Sequence, residues 1–204
     1  MRRWIFAFFT LACVCACSLL FFAETVESKG QPIQISAITD STNQASAEMM
    51  SEFRKKIASH PGLFSLASNL DESTGLVFTA DCKTRDKSDD AYVCFYTSQR
   101  AAGAVKTSLG SGVYAAKSAD DVADHLLASM AQDIAERWNS TIRSGAVEVL
   151  ESCLFLAHSK CVVPEPLTPE LRSQILSLSQ SLQNSSERRG ENQGAQRRSG
   201  PSVQ

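Results

Sequence analysis

The sequence predicts an α+β fold in which two helices pack on a mostly antiparallel sheet, in the order β-α-β-β-β-α. Three observations lead to this prediction. Short apolar runs separated by polar turns are typical of strands. Two longer segments repeat their apolar residues at every fourth position, as helices do. The order of these segments favours one layer of helices packed on one sheet. A C-terminal helical hairpin and a disordered tail are predicted to follow this domain.

The first strand and the first helix follow from hydrophobic periodicity. Residues 33–38 alternate between apolar and polar side chains, which indicates a half-buried strand. Further on, Met49, Phe53 and Ile57 recur at every fourth position and predict an amphipathic helix with one buried face. The His-Pro-Gly sequence at residues 60–62 is expected to end that helix.

Several strands are predicted after this helix. A short apolar run at residues 63–67 indicates one strand, and residues 75–82 and 91–99 indicate the two strands of a hairpin. The polar segment 83–90 between them is expected to form the hairpin loop. Residues 105–116 are interrupted by glycines and are expected to hold one more strand.

The α+β domain is predicted to span residues 33–138 and to close with a long helix. Ser118 is its expected N-cap, and Asp121 completes a variant of the capping box. A polar break is predicted after the helix, at residues 139–145. The apolar residues that recur every four positions and predict the buried stripe are Val122, Leu126, Met130, Ile134 and Trp138.

Residues 146–183 predict a helical hairpin appended to the sheet domain. Its first helix is indicated by the spacing of Val147, Leu150 and Leu154. Its second helix is expected to begin at Thr168, an N-cap followed by proline. The apolar stripe of the second helix consists of Leu171, Ile175, Leu178 and Leu182. From residue 184 to residue 204 the chain is almost entirely polar, so this tail is predicted to be disordered.

The first 23 residues predict a signal peptide or an N-terminal membrane anchor. Arg2 and Arg3 precede residues 4–23, which contain no charge and are numerous enough to cross a bilayer. The positive-inside rule then keeps the N-terminus in the cytoplasm and sends the rest of the chain across the membrane. Cleaved signal and uncleaved anchor both fit this pattern. We therefore expect an extracytoplasmic protein, periplasmic or secreted, that meets the membrane through this segment.

Four cysteines lie beyond the leader, and an even number in an exported chain indicates disulfides. Four cysteines allow three pairings, of which the local spacing favours two short bridges. The first would join the two predicted hairpin strands, and the second would close the turn of the helical hairpin. Metal binding is less favoured, since no C-x2-C pair is present. The expected bridges are Cys82–Cys94 and Cys153–Cys161.

The composition and the missing motifs disfavour several classes of function. Residues 24–183 contain 14 Lys and Arg against 20 Asp and Glu, which argues against nucleic-acid binding. No nucleophile elbow, P-loop or dinucleotide motif is present. We therefore predict no catalytic residue, cofactor or metal ligand, and a non-catalytic binding or assembly module of the cell envelope. Its protein partner would meet the exposed hairpin edge or the apolar face of the helical hairpin.

An extracytoplasmic enzyme or metal-binding protein is the alternative hypothesis. Asp121 and Asp124 precede His125 on one predicted helix, so two potential ligands could share a helix face. The competing interpretation, a solvated charged face, is more frequent for such spacing.

The order of elements over residues 33–138 resembles a known type of domain. The strands at 63–66 and 75–80 and a closing helix that begins Ala-Asp-Asp-Val-Ala-Asp-His at residue 119 are similar to the amino-terminal domain of the TolB family and to envelope domains of the CsgG type. Thr79 and Ala80 stand where that pattern has a glycine, and no propeller repeats follow, which excludes a complete TolB protein. The resemblance implies a non-catalytic envelope domain that binds other proteins.

Overall fold

The structure is a computed structural model, and it describes part of the 204-residue chain, namely residues 31–68, 70, 74–85, 91–103, 105–155 and 164–198. The described residues form five strands and three helices, so the predicted α+β class is confirmed. In chain order the elements are β1 Ile33–Ile38, α1 Gln44–Ala58, β2 Phe64–Leu66, β3 Thr74–Arg85, β4 Ala91–Ala102, β5 Val105–Ala116, α2 Ala119–Phe155 and α3 Pro169–Arg198.

The five strands form one mixed sheet in the order β2-β1-β3-β4-β5. The three long strands β3, β4 and β5 are antiparallel neighbours, as the sequence predicts. The short strand β1 differs, because it is parallel to both β2 and β3. Parallel neighbours need a crossover connection, and α1 provides it between β1 and β2.

Helices α1 and α2 cover the same face of the sheet, which we call the inner face. Every residue of the two predicted helix stripes is buried there, from Met49 in α1 to Trp138 in α2. The strands contribute alternate side chains such as Ile35, Leu76 and Phe78 to the same core. Periodicity therefore identified the buried side of each helix. The opposite face, the outer face, carries no helix in the part of the chain that the structure describes.

Helix α2 continues to Phe155, so the polar break predicted at residues 139–145 is wrong. The hydroxyl groups in this segment bond to carbonyls of their own helix instead of interrupting it. Ser140 donates to the carbonyl three residues before it at 2.9 Å, and Thr141 does the same at 2.9 Å. Ser144 donates to the Thr141 carbonyl at 3.3 Å. Hydroxyl side chains that suggested a loop are thus accommodated inside the helix.

Helix α3 runs back along α2 and shares its core. Ser179 Oγ donates to the Ala128 carbonyl at 2.8 Å, and the Asn139 side chain forms hydrogen bonds with both backbone groups of Leu167. A helical hairpin is therefore present, but its first arm is the helix that covers the sheet, not a separate helix starting near residue 146. The α3 residues buried in the common core are Leu171 and Ile175.

The end of α3 also differs from the sequence-based expectation. Thr168 caps the helix as predicted, with its Oγ1 accepting from the Leu171 N–H. The helix then runs to Arg198, through much of the segment for which composition predicted disorder. This segment is rich in Gln, Glu and Arg, whose straight side chains have a favourable helix propensity, and it contains no proline before Pro201.

The predicted leader, residues 1–23, lies outside the described residues. Within the described ranges, no helix combines the length and the apolar character needed to cross a bilayer.

Candidate functional site

Cys82 and Cys94 form a disulfide, as the sequence predicts. They face each other across β3 and β4 with their Cα atoms 4.0 Å apart, and both side chains are fully buried. The bond lies beside the start of α1, where the Cys82 N–H donates to Ser46 Oγ at 2.8 Å. The bridge therefore fastens the hairpin under α1. Cys161 and the side chain of Cys153 lie outside the described part, so their predicted pairing stays a prediction.

The residues considered for a site near His125 do not converge. Asp121 belongs to the capping box, with its N–H donating to Ser118 Oγ at 3.1 Å. Asp124 is buried and lies 2.7 Å from Lys56 Nζ. The His125 ring stacks on Tyr114, with 5.5 Å between the ring centroids. Across the described ranges, no group of three His, Cys, Asp or Glu side chains could hold a metal ion.

Lys56 links the two helices of the inner layer. Its Nζ lies 2.6 Å from Asp120 and 2.7 Å from Asp124, which are one turn apart on α2. Burial acts to lower the pKa of Lys56, but the hydrogen bonds that its ammonium donates to the two carboxylates, together with their negative charges, outweigh burial and raise the pKa above its usual value. Asp124, one of the two carboxylates considered for metal binding, therefore fixes α1 against α2 together with Asp120.

Stacked rings fill the inner face from one helix to the other. The row starts on α1, crosses β3, β4 and β5, and ends on α2, with successive ring centroids 4.5 to 6.0 Å apart. Its members are Phe53, Phe78, Tyr96, Tyr114 and His125. This packing leaves His125 as the last ring of the row and explains its place beside the apolar stripe.

A buried polar cluster between α2 and the sheet was missed by the sequence analysis. Asp133 accepts a hydrogen bond from Ser98 Oγ at 2.8 Å, and both residues are buried. Burial raises the pKa of the Asp133 carboxyl, against the opposing effect of the Ser98 hydrogen bond. Burial also raises the pKa of neighbouring Tyr96 to about 12. The hydrogen bond joins β4 to α2, so the cluster holds α2 on the sheet.

The glycines of β5 are the feature of the sequence that could have indicated this cluster. A Cβ atom at Gly110 would collide with the Asp133 carboxylate, and one at Gly112 would lie 2.7 Å from the Tyr96 ring. Glycine inside a strand often marks the close approach of another group. Two glycines flanking Ser111 therefore indicated that something packs closely on β5, although not which residue.

The outer face of the sheet exposes a pair of large apolar side chains. Phe95 on β4 and Val113 on β5 are cross-strand partners. Their exposed fractions are 59% and 54%, respectively. Antiparallel sheets commonly turn one face to water, but that face is then usually polar. An exposed apolar pair on an uncovered sheet marks a candidate interaction surface.

The edge of β5 borders this surface. Because β5 is last in the strand order, one of its edges has no neighbouring strand among those that the structure describes. The pairing of β4 with β5 is irregular between Ser98 and Gln99, where Leu109 is the additional residue of β5. There the Leu109 carbonyl accepts a hydrogen bond from Arg137 of α2. Bulges and charged side chains are the usual protection of an edge strand.

The fold and these surfaces define an α+β domain with buried polar pairs in its interior and, on the outer face, an exposed apolar pair that no described element covers. No protein-family model matches the sequence, and a search of curated proteins also finds no match. The resemblance to the TolB and CsgG-type domains therefore stays a prediction.

Proposed function

We propose that the protein is a non-catalytic binding module of the cell envelope, and that its partner docks on the outer face of the sheet. The observation that carries this proposal is the exposed Phe95–Val113 pair. The patch lies opposite the helices, so a partner can reach it without disturbing the core. Aromatic side chains in such patches often dominate the binding energy.

The polar groups of the interior support binding over catalysis. Asp124 is paired with Lys56, Asp133 is bonded to Ser98, and Asp121 caps its helix. These carboxylates already have structural partners within the protein. The apolar pair on the outer face, by contrast, has no covering element in the described part of the chain.

The envelope location rests on the leader and on the disulfide. Residues 4–23 follow two arginines and contain no charge, the order typical of an export signal. The Cys82–Cys94 bond fits an oxidising compartment, because cytosolic thiols are kept reduced. Together they support a binding face that lies outside the cytoplasm.

Substitution of the exposed aromatic residue tests the proposal. Full-length Phe95→Ser protein, isolated with its chemically cross-linked partner from the source cells, is expected to recover roughly tenfold less partner than wild type, because a contact of this kind contributes over 1 kcal/mol. Lys55→Ser is the matched control, since Lys55 is exposed on α1. Both variants should unfold at nearly the wild-type temperature. Equal recovery with Phe95→Ser and with the control would contradict the proposal.

A further inference from the structure

We propose that one turn of α2 holds the bulge of β5 in place, and that this bulge keeps the edge of the sheet from pairing with a second copy of the chain. The inference goes beyond the proposed binding function, because it concerns the edge of β5 and not the Phe95–Val113 pair. β5 is 12 residues long, and its outer edge has no neighbouring strand in the described ranges. A long, regular edge of this kind is a template for the addition of further strands.

The bulge divides β5 into two shorter regular stretches. Leu109 is an additional residue of β5, because its two neighbours pair with the consecutive residues Ser98 and Gln99 of β4. Regular pairing is therefore limited to residues 105–108 on one side and 110–116 on the other. A regular strand that pairs with one stretch is out of register with the other stretch by one residue, and such a shift turns its side chains to the wrong face.

Two residues of α2, one helical turn apart, bond to the two sides of the bulge. On the β5 side, Arg137 Nη1 donates to the Leu109 carbonyl. On the β4 side, Ser98 Oγ donates to Asp133 Oδ2 at 2.8 Å. Arg137 Nη1 also lies 3.9 Å from Asp133 Oδ1, so the two α2 side chains belong to one network. A single turn of α2 thus contacts both strands where their pairing is irregular.

The packing of the interior also favours the bulge. The Leu109 side chain is 1% exposed and belongs to the main core. The next residue, Gly110, lies directly against the Asp133 carboxylate, which a Cβ atom at this position would meet. The bulge is therefore part of the contact between α2 and β5, and it is fixed by that contact.

Deletion of Leu109 tests the role of the bulge at the edge. The deletion joins Ser108 to Gly110 and restores regular pairing with β4, while each remaining residue keeps its face of the sheet. In sedimentation velocity, the full-length, disulfide-bonded deletion variant is expected to self-associate at least about tenfold more tightly than Leu109→Ala. Leu109→Ala is the matched control, because it loses the same buried side chain but keeps the additional residue. Equal association of the two variants would overturn the proposal.

Hydrogen exchange tests the role of α2 without deleting a residue. Arg137→Met removes the donor to the Leu109 carbonyl and is expected to raise the amide exchange rates of residues 107–110 about tenfold, while the rates in β3 stay unchanged. Arg172→Met is the matched control, because Arg172 Nε also donates to a backbone carbonyl but joins α3 to α2 at Ala135. Wild-type exchange at the bulge in Arg137→Met, or an equal rise in the control, would refute the role assigned to α2.

The two tests remain decisive if the deletion variant does not fold. Arg137→Met then replaces it in the sedimentation experiment, where it is expected to self-associate more tightly than Arg172→Met, and equal association would count against the bulge as a protection of the edge. Neither test involves Phe95. A failure of this inference therefore leaves the proposed binding function standing, and the result of Phe95→Ser does not affect the inference.

Discussion

Asp133 shows how one buried carboxyl makes stability depend on pH. Burial raises its pKa above 3.8, so the folded protein holds this proton more tightly than the unfolded chain does. The stabilising contribution is therefore present at low pH and is lost as pH rises through the folded-state pKa. Asp133→Asn keeps an oxygen for Ser98 but cannot ionise. Between about pH 4 and pH 7, denaturant titrations should show a smaller loss of stability in Asp133→Asn than in wild type. Parallel curves would contradict this assignment.

Arg100 is a second polar residue whose burial costs free energy on folding. Its side chain is 1% exposed, Nη2 donates to the Thr141 carbonyl at 2.9 Å, and Nε and Nη1 have no hydrogen-bond partner among the residues that the structure describes. Burial lowers the pKa of Arg100 because it disfavours the charged form. Replacement by an apolar side chain of similar length removes this cost.

Arg100→Met is accordingly expected to leave the free energy of unfolding unchanged or to raise it by roughly 1–4 kcal/mol. Denaturant unfolding of the purified protein measures this value. A loss of about 3–5 kcal/mol would instead show that the guanidinium has a carboxylate partner outside the described residues.

Neither residue could be identified from the sequence. Asp133 directly precedes Ile134 of the apolar stripe, and Arg100 follows an ordinary polar stretch of β4. Periodicity predicts which face of an element is buried, but it does not predict that a polar residue on that face will find a partner there. Partners such as Ser98 come from distant parts of the chain, so they appear only after the elements pack.

Contact between α2 and β5 depends on Gly110. A methyl group at this position would collide with the Asp133 carboxylate, so Gly110→Ala should displace that carboxylate from its hydrogen bond with Ser98 and strain the contact between α2 and the strand. We expect a loss of about 1–3 kcal/mol in the free energy of unfolding, the usual cost of overpacking. Gly62→Ala is the matched control, because no atom lies within 4 Å of its added Cβ. Equal stability of the two variants would contradict this account of the contact.

Helices and strands were predictable where apolar residues recur at a regular spacing. The stripes of α1 and α2 have helical spacing, and the hairpin strands are separated by a polar loop. The break at residues 139–145 was predicted wrongly because Ser and Thr favour loops in isolation, whereas here their hydroxyls bond to carbonyls of the helix. Asn139 adds two hydrogen bonds to Leu167, a tertiary contact with no local signal.

At the scale of the whole molecule, the described residues form one principal core that includes α3. Leu171 and Ile175 lie in the same buried cluster as Trp138 and Ile134. The sequence suggested an appended hairpin, because its apolar stripe could equally have packed on itself. The packing of α3 on α2 is therefore set by tertiary contacts, which the periodicity of apolar residues does not predict.

The candidate binding surface was predictable only in part. Alternation along β4 predicts that Phe95 points to the face opposite Cys94 and Tyr96. It does not predict which face the helices cover, so the exposure of Phe95 and Val113 follows only from the assembled structure. The edge of the β3–β4 hairpin was predicted to be exposed and to contact a partner, but this exposure is wrong, because β1 pairs with β3 and β5 pairs with β4.

Photo-crosslinking from the outer face tests the central claim most directly. A photoreactive amino acid replaces Val113 in one full-length protein and Lys55 in another, because both positions are exposed but lie on opposite sides of the domain. After irradiation of intact source cells, we predict one adduct of defined mass from position 113 and none from position 55. Adducts of equal yield from both positions, or none from position 113, would contradict a partner on the outer face of the sheet.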